Sequence, residues 1–311
     1  MTVERIILVT RKTRLEELIC KYNTVGQAKF YIEHLGQDFS DYLAEHDLYK
    51  RVVDRLHHGL ASGYKTVMLD RAMVGAFMFD KSDLVYICGQ DGLVANTLKY
   101  LEGQTVAGIN PDPSRWAGVL LPFGGGDAIL LEPEALLEQC RVKKATLGKV
   151  TLPDGQKLYA VNDFFIGQRS HVSSRYELVY RQRWEKQSSS GIIVSTGLGS
   201  TGWLKSVISG ASRISRAALG AAIEPCDDLS FDWSEKRLVF SVREPYISPF
   251  SGAELVFGAI DREEKLEVIS AMPEGGAIFS DGMESDFIVF SSGMSAVVEI
   301  AEKEGMLLFP K

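Results

Sequence analysis

The chain has 311 residues, 45% of them hydrophobic, which is enough for a sizeable core in about two domains. Its 34 Lys and Arg against 41 Asp and Glu give a formal charge of -7, so the surface as a whole does not draw polyanions and nucleic acid is not an expected partner. Cys20, Cys88, Cys140 and Cys226 form no C-x-x-C, and the histidines form no H-x-x-x-H, which argues against a zinc site and for buried thiols in a reducing compartment. The start, "MTVERIILVTRK", is too short in apolar residues for a secretory signal. The most apolar stretch is cut by Asp70, Arg71, Asp80, Lys81 and Asp83 and cannot span a bilayer, so the reading is a soluble, cytoplasmic protein without membrane contact.

Short β-like runs alternate with helical patterns through the first half, which predicts a parallel sheet with crossover helices. Ile6–Val9 is the first strand. Phe39, Tyr42, Leu43, Tyr49, Val53, Leu56 and Leu60 recur at helical spacing, and Gly63 ends that helix. Thr66–Leu69 and Leu84–Ile87 are further strands, short and apolar as buried parallel strands are. After "GQDG" at 89–92, "LVANTLKYLEG" has helical spacing, and "TVAGIN" is the next strand, ended by Pro111 and Pro113.

A helix around Glu134–Cys140 precedes a change of character. From about Lys144 the pattern is β-rich, beginning with "KATLGKVTLPDGQKLYAVNDFFIG", where Asp154-Gly155 suits a hairpin turn. Further strands are expected in "KRLVFSVRE", "AELVFGAI", "KLEVISA", "DFIVFS" and "SAVVEIAE", with the segment after Gly202 as the main helical insertion. The expected organisation is an α/β domain over 1–140 with a parallel sheet, then a β-rich domain over 141–311 whose last residues pack back on the first.

Two stretches carry chemistry. "SSSGIIVSTGLGSTGWLKS" contains G-x-G-x-x-G at Gly197, Gly199 and Gly202, deep in β-rich sequence. A dinucleotide fingerprint belongs in the first strand-turn-helix with an acidic residue closing the next strand; here the first acidic residue downstream is Glu224, after a helical or loop stretch, so the dehydrogenase reading loses. Thr196, Ser200 and Thr201 place hydroxyls among those glycines, so the turn offers donors to a polar ligand. The second stretch reads strand, Gly-Gln-Asp-Gly, helix, with a carboxylate where open α/β sheets bind ligands; an Asp that merely caps the helix explains it equally well.

"GQDG", then "GINPDPSRWAGVLLPF", then "VNDFFIG", then "SSGIIVSTGLGSTGW" resemble, in order and spacing, the G-G-D-G-T, G-[IV]-N, N-E and T-x-T-G-S-T-A-Y patterns of the NAD kinase family. "NPDPSRWAG" and "RWEKQSSSG" are most similar to its mitochondrial-type branch. The resemblance implies a two-domain architecture with its site in the cleft between the domains. The implied reaction moves the terminal phosphoryl group of ATP, with Mg²⁺, to the 2′-hydroxyl of the adenosine ribose of NAD. It implies Asp91 as the catalytic carboxylate and Gly89 and Gly92 as points of backbone approach to phosphate. Asn110, Asn162, Asp163, Thr196, Gly199, Ser200 and Thr201 are the implied nucleotide-binding residues, and the assembly is a homodimer or homotetramer.

The sequence departs from the family patterns at three places, one of them Asp163, which replaces the glutamate of N-E and is one methylene shorter. Gln90 replaces the second glycine, and a left-handed backbone there would cost roughly 1–2 kcal/mol. Leu93 replaces a threonine hydroxyl that could reach phosphate, so turnover of ATP is in question ahead of binding of NAD. Arg11 and Lys12 could supply cations for triphosphate, although plain solvated charge explains them slightly better; core packing is the preferred account of Trp203; Ser280-Asp281-Gly282 is either the family's late D-G or a hairpin turn. The alternatives to a kinase of NAD are a non-catalytic NAD or NADP sensor and a kinase of the same superfamily acting on another hydroxyl.

Overall fold

The computed structural model describes residues 3–220 and 229–311, so Cys226 and Glu224 lie outside the described residues. The chain divides into two compact units, Met1–Lys143 with Met306–Lys311, and Lys144–Gly305.

The first unit opens with β1 (Arg5–Thr10), α1 (Arg14–Tyr22), α2 (Val25–His34), α3 (Ser40–Ala61) and β2 (Lys65–Asp70). A 3₁₀ turn at Arg71–Ala76 leads to β3 (Asp83–Cys88), α4 (Asp91–Leu98), β4 (Thr105–Asn110), the two-residue β5 (Phe123–Gly124) and α5 (Pro133–Gln139). The helices α1 and α2 were not expected from apolar spacing. Their signal is polar: Thr13 accepts from the Glu16 amide at 3.2 Å while its own amide donates to Glu16 at 2.8 Å, a reciprocal cap, and Thr24 accepts from the Gln27 amide at 3.1 Å.

The strands of this unit run in the order β2-β1-β3-β4, all parallel. The outer edge of β4 is shared: Ile109 and Asn110 pair with β5, and Thr105 and Val106 pair with Met306 and Leu307 at the chain's end. Buried Tyr49, Val53, Leu56 and Leu60 of α3 pack on Ile6, Leu8, Leu84 and Tyr86. Leu43, expected on that face, is exposed, and Glu45 is buried instead. As an edge strand β2 is less enclosed than its composition suggested, with Met68 exposed.

The second unit comprises β6 (Cys140–Thr151, begun in the first unit), β7 (Lys157–Ala160), β8 (Asp163–Gln168), β9 (Ser174–Tyr180), β10 (Arg183–Ser189), β11 (Ile192–Ser195), α6 (Trp203–Leu219), β12 (Arg237–Val242), β13 (Phe257–Asp261), β14 (Leu266–Ser270), β15 (Gly276–Ser280), β16 (Met283–Val289) and β17 (Ser295–Pro310). An antiparallel sheet in the order β13-β12-β11-β8-β15-β16 faces β9, β14, β17, β6 and β7 across one core, in which Phe164, Ile166, Tyr176, Leu178, Phe240 and Val268 are buried. The turn at Asp154-Gly155 joins β6 to β7, with Gly155 at φ 88°.

The architecture is thus an α/β unit with a parallel sheet followed by a β-rich unit. Of the cysteines, Cys88 and Cys140 are buried and free, but Cys20 is exposed on α1, contrary to expectation, because its helix turns that position to solvent. No helix among the described residues is long and apolar enough to cross a membrane.

The tightest backbone approach lies in the first unit, where a Cβ on Gly108 would sit 1.9 Å from the Leu120 carbonyl oxygen. Gly108→Ala should therefore destabilise the protein by about 3 kcal/mol or more, read as a lowered urea midpoint at unchanged slope.

Candidate functional site

In the order β2-β1-β3-β4 the chain winds outward in opposite directions from β1 and β3, and ligands of open parallel sheets bind beyond the carboxyl ends of the strands at that divide. Arg11 follows β1 there, Gly89, Gln90 and Asp91 follow β3, and Asn110 closes β4. Tyr49 of α3 joins the first two ends, accepting from the Arg11 amide at 2.9 Å and donating to the Cys88 carbonyl at 3.0 Å.

Asp91 is the first residue of α4, and its carboxylate is already engaged: Oδ2 accepts from the Val119 amide at 3.1 Å and Oδ1 from the Leu120 amide at 2.8 Å. Asn110 secures the same loop, with Nδ2 donating to the Trp116 carbonyl at 2.9 Å and Oδ1 accepting from the Asp112 amide at 3.0 Å. The segment after β4 is therefore strapped over the strand ends by two side chains whose sequence pattern had pointed to a ligand. Gly89 is buried, its amide donating to Ile109, and a Cβ there would meet Leu93 at 2.8 Å; Gly92 has open space around it.

The cost foreseen for Gln90 does not arise, because its backbone is extended at φ -123° and ψ 162°. Leu93 is buried in the core and presents no hydroxyl. Arg11 is neither free nor solvated: its side chain is 11% exposed, its guanidinium pairs with buried Glu45 at 2.9 Å and lies over the Tyr49 ring. Glu45 is also near Arg14, whose Nη2 meets Asp41 at 2.7 Å, and Asp41 takes the Arg115 fork at 2.6 and 2.9 Å. Those two guanidinium groups, Arg115 first, hold the Asp41 carboxyl well below the usual carboxylate range. Lys12 points instead to the Cys20 sulfur at 3.5 Å.

The other half of the candidate set lies in the second unit, around the junction of β7, β8 and the turn after β11. Asp281 and Gly282, at φ 53° and 68°, form the two-residue turn between β15 and β16. The same turn also anchors main chain elsewhere, because Asp281 Oδ1 accepts from the amides of Asn162 at 2.6 Å, Val161 at 3.1 Å and Asp163 at 3.3 Å. Asn162 in turn accepts at its carbonyl from the Thr196 amide at 2.9 Å.

Two of the three hydroxyls expected to meet a ligand turn inward. Thr196 Oγ1 donates to the Val161 carbonyl at 2.6 Å and accepts from the Gly199 amide at 3.2 Å, and Ser200 donates to the Gly197 carbonyl at 2.7 Å. Tight turns leave main-chain groups unpaired, and the buried hydroxyls satisfy them. Thr201 alone of the three is exposed. Gly199 is required by space, since a Cβ would sit 2.3 Å from the Asn162 carbonyl oxygen.

Trp203 is not a core residue. It is 40% exposed at the start of α6, its ring stacked at 5.8 Å on half-buried Phe165, with the Arg243 guanidinium 5.5 Å from its centroid. Phe279 and Phe287 extend the row from Phe165 across the sheet. Strand alternation gave a signal for this row, because Phe164 and Phe165 must face opposite ways.

Asp163 opens β8 with its Oδ1 buried and without a hydrogen-bond partner. Burial, partly offset by the Ser195 hydroxyl and reinforced by the Asp281 charge, pushes its carboxyl up to about 7. Among the described residues no group of three or more His, Cys, Asp or Glu is placed to hold a metal ion.

No protein-family profile matches this chain, and no curated protein does. Solved structures do. An NAD kinase from Archaeoglobus fulgidus in complex with ATP aligns over 99% of this chain and 93% of its own, with a TM-score of 0.58 at 17% identity. A yeast NADH kinase complexed with NADH aligns over 100% of this chain and 84% of its own, again at 0.58, with 11% identity. The chain has the fold of the NAD kinases.

Two outcomes follow from these bonds. Asp281→Ala removes an acceptor shared by three amides and should cost about 2–3 kcal/mol, measured by urea unfolding. For Asp163 the folded carboxyl titrates near 7, above an unfolded value of about 3.9. The native protein then binds the extra proton between those values, so this group's contribution to stability is full below pH 4 and is lost as pH rises to 7. Asp163→Asn should gain on the parent by up to roughly 4 kcal/mol between pH 4 and pH 8, seen in unfolding midpoints across that range.

Proposed function

We propose that this protein is an NAD kinase-like phosphotransferase, moving the terminal phosphoryl group of ATP to the 2′-hydroxyl of the adenosine ribose of NAD. The observation that carries the proposal is a fold shared with NAD kinases along essentially the whole chain. Its sequence support is the ordered set of four motifs, including the segments similar to the mitochondrial-type branch.

In this reading the 2′-oxygen attacks the terminal phosphorus, the bond to the bridging oxygen breaks, ADP departs, and the hydroxyl proton passes to Asp91. The carboxylate keeps lone pairs beyond the two that meet the Val119 and Leu120 amides, and those amides hold it in one orientation. Positioning and charge neutralisation dominate phosphoryl transfer, so one oriented carboxylate is enough protein chemistry. Mg²⁺ would enter with the nucleotide, its ligands drawn mainly from the phosphates. Asn162, Asp163 and the exposed Thr201 are the proposed contacts for NAD, while Thr196, Gly199 and Ser200 shape the turn that presents them. A cytoplasmic homodimer or homotetramer belongs to the same proposal.

Purified protein with ATP, Mg²⁺ and NAD should form NADP, and Asp91→Asn should lower the rate by about 10²–10⁴-fold. Because an asparagine would turn its NH₂ toward one of the two loop amides, amide exchange at Val119 and Leu120 must be measured in the same variant. A rate loss with retained protection supports Asp91 as the base; a loss that tracks exposure of the loop assigns it to the strap. The second reading, a nucleotide sensor, is favoured by Leu93, which leaves the helix start without a hydroxyl. It expects NAD binding by calorimetry without NADP, and Gln90→Gly with Leu93→Thr would then be the restoring pair.

A further inference from the structure

The strap after β4 is tied down along its length. At its base Asn110 fixes the Trp116 carbonyl and the Asp112 amide, and at its far end Asp91 takes the amides of Val119 and Leu120. Between them Arg115 leaves the loop for α3. The strap's own main-chain bonds are short-range, Arg115 and Trp116 donating to Asp112 and Leu121 to Gly118, and Pro113, Ser114, Ala117 and Val119 are exposed. A segment with so little internal bonding keeps one shape only when side chains tie it to something rigid.

Arg115 supplies that tie as a fork. Its Nη2 and Nη1 donate to the two oxygens of Asp41 at 2.6 and 2.9 Å, while Nε lies 3.4 Å from Asp112. Asp41 stands in the first turn of α3, whose later turns are buried on the sheet through Tyr49, Val53, Leu56 and Leu60. Arg14 meets it from another side at 2.7 Å, and the two guanidinium groups keep it an anion. An isolated ion pair at a surface holds little, because ordering two long side chains offsets the attraction. A two-pronged fork onto a carboxylate already ordered by a second arginine avoids much of that cost. Beyond the fork, Gly118 at φ 65° turns the chain toward the two amides that meet Asp91.

We infer that Arg115 and Asp41 are positioning residues for Asp91: their fork holds residues 119 and 120 where the two amides orient the carboxylate that takes the hydroxyl proton. The inference rests on the proposed role of Asp91 as the base and adds the tether that sets its direction. Neither residue needs to touch a substrate for this. A base turned away from its proton slows the chemical step and leaves binding of the substrates unchanged.

Arg115→Gln and Asp41→Asn should each lower kcat for NADP formation about tenfold, with KM for NAD and for ATP within about twofold of the parent. Arg115→Lys, which keeps the charge and loses the fork, should fall between. In an Asp91→Asn background Arg115→Gln should cost less than about twofold more, because no base is left to orient. Independently of activity, amide exchange at Val119 and Leu120 should quicken about tenfold in both variants while the amides of β1 and β3 keep their protection. Unchanged exchange at Val119 and Leu120, a loss confined to KM, or a full tenfold loss that persists in the Asp91→Asn background would overturn the inference and leave the proposed kinase intact. If the parent protein forms no NADP, the proposed function falls and the base-positioning role falls with it, and exchange at Val119 and Leu120 decides the tether alone. If Asp41→Asn does not fold, Arg115→Gln, on an exposed part of the loop, still decides it.

Discussion

A chain that turns sharply at the end of a strand exposes main-chain amides that no neighbouring strand can accept, and buried amides must find an acceptor. At both candidate segments that acceptor is one aspartate far away in sequence. Asp91 takes the amides of residues 119 and 120, and Asp281 takes those of 161, 162 and 163. Each carboxylate converts a loop into a fixed surface. The strap after β4 and the turn beside β8 keep their shapes because these anions are in place.

The same constraint explains why several polar residues do not face outward. Thr196, Ser200 and Asn110 all have the functional groups that a nucleotide would use, and all are committed to main-chain partners. What is left exposed is small and specific: Thr201 and the Trp203 ring on Phe165. The committed residues set the geometry, and the open ones are the candidates for contact. This division accounts for a turn dense in hydroxyls that nevertheless presents few of them.

Charge is arranged by a similar rule around the β1 end. Arg11, Glu45, Arg14, Asp41 and Arg115 alternate in sign, and the buried member, Glu45, is tolerated because Arg11 meets it directly at 2.9 Å. A protein with an excess of acidic residues thereby keeps these local cations in fixed positions, engaged mostly by its own carboxylates.

The alternation of the first half into strands and helices, the β-rich second half and the strand-GQDG-helix unit could all be read from residue order, because apolar periodicity and turn residues act over a few positions. The caps at Thr13 and Thr24 were equally local and are visible as T-x-x-E and T-x-x-Q once sought. Strand alternation could likewise have placed Phe165 outward. Other features depended on contacts between distant residues. Nothing near Asp91 announces Val119, nothing near Asp163 announces Asp281, and burial of Glu45 or Arg11 cannot be inferred from their neighbours. Hydrogen bonds and burial are properties of the folded arrangement, so only the tertiary structure decided which of the candidate side chains hold the backbone and which remain open to a ligand.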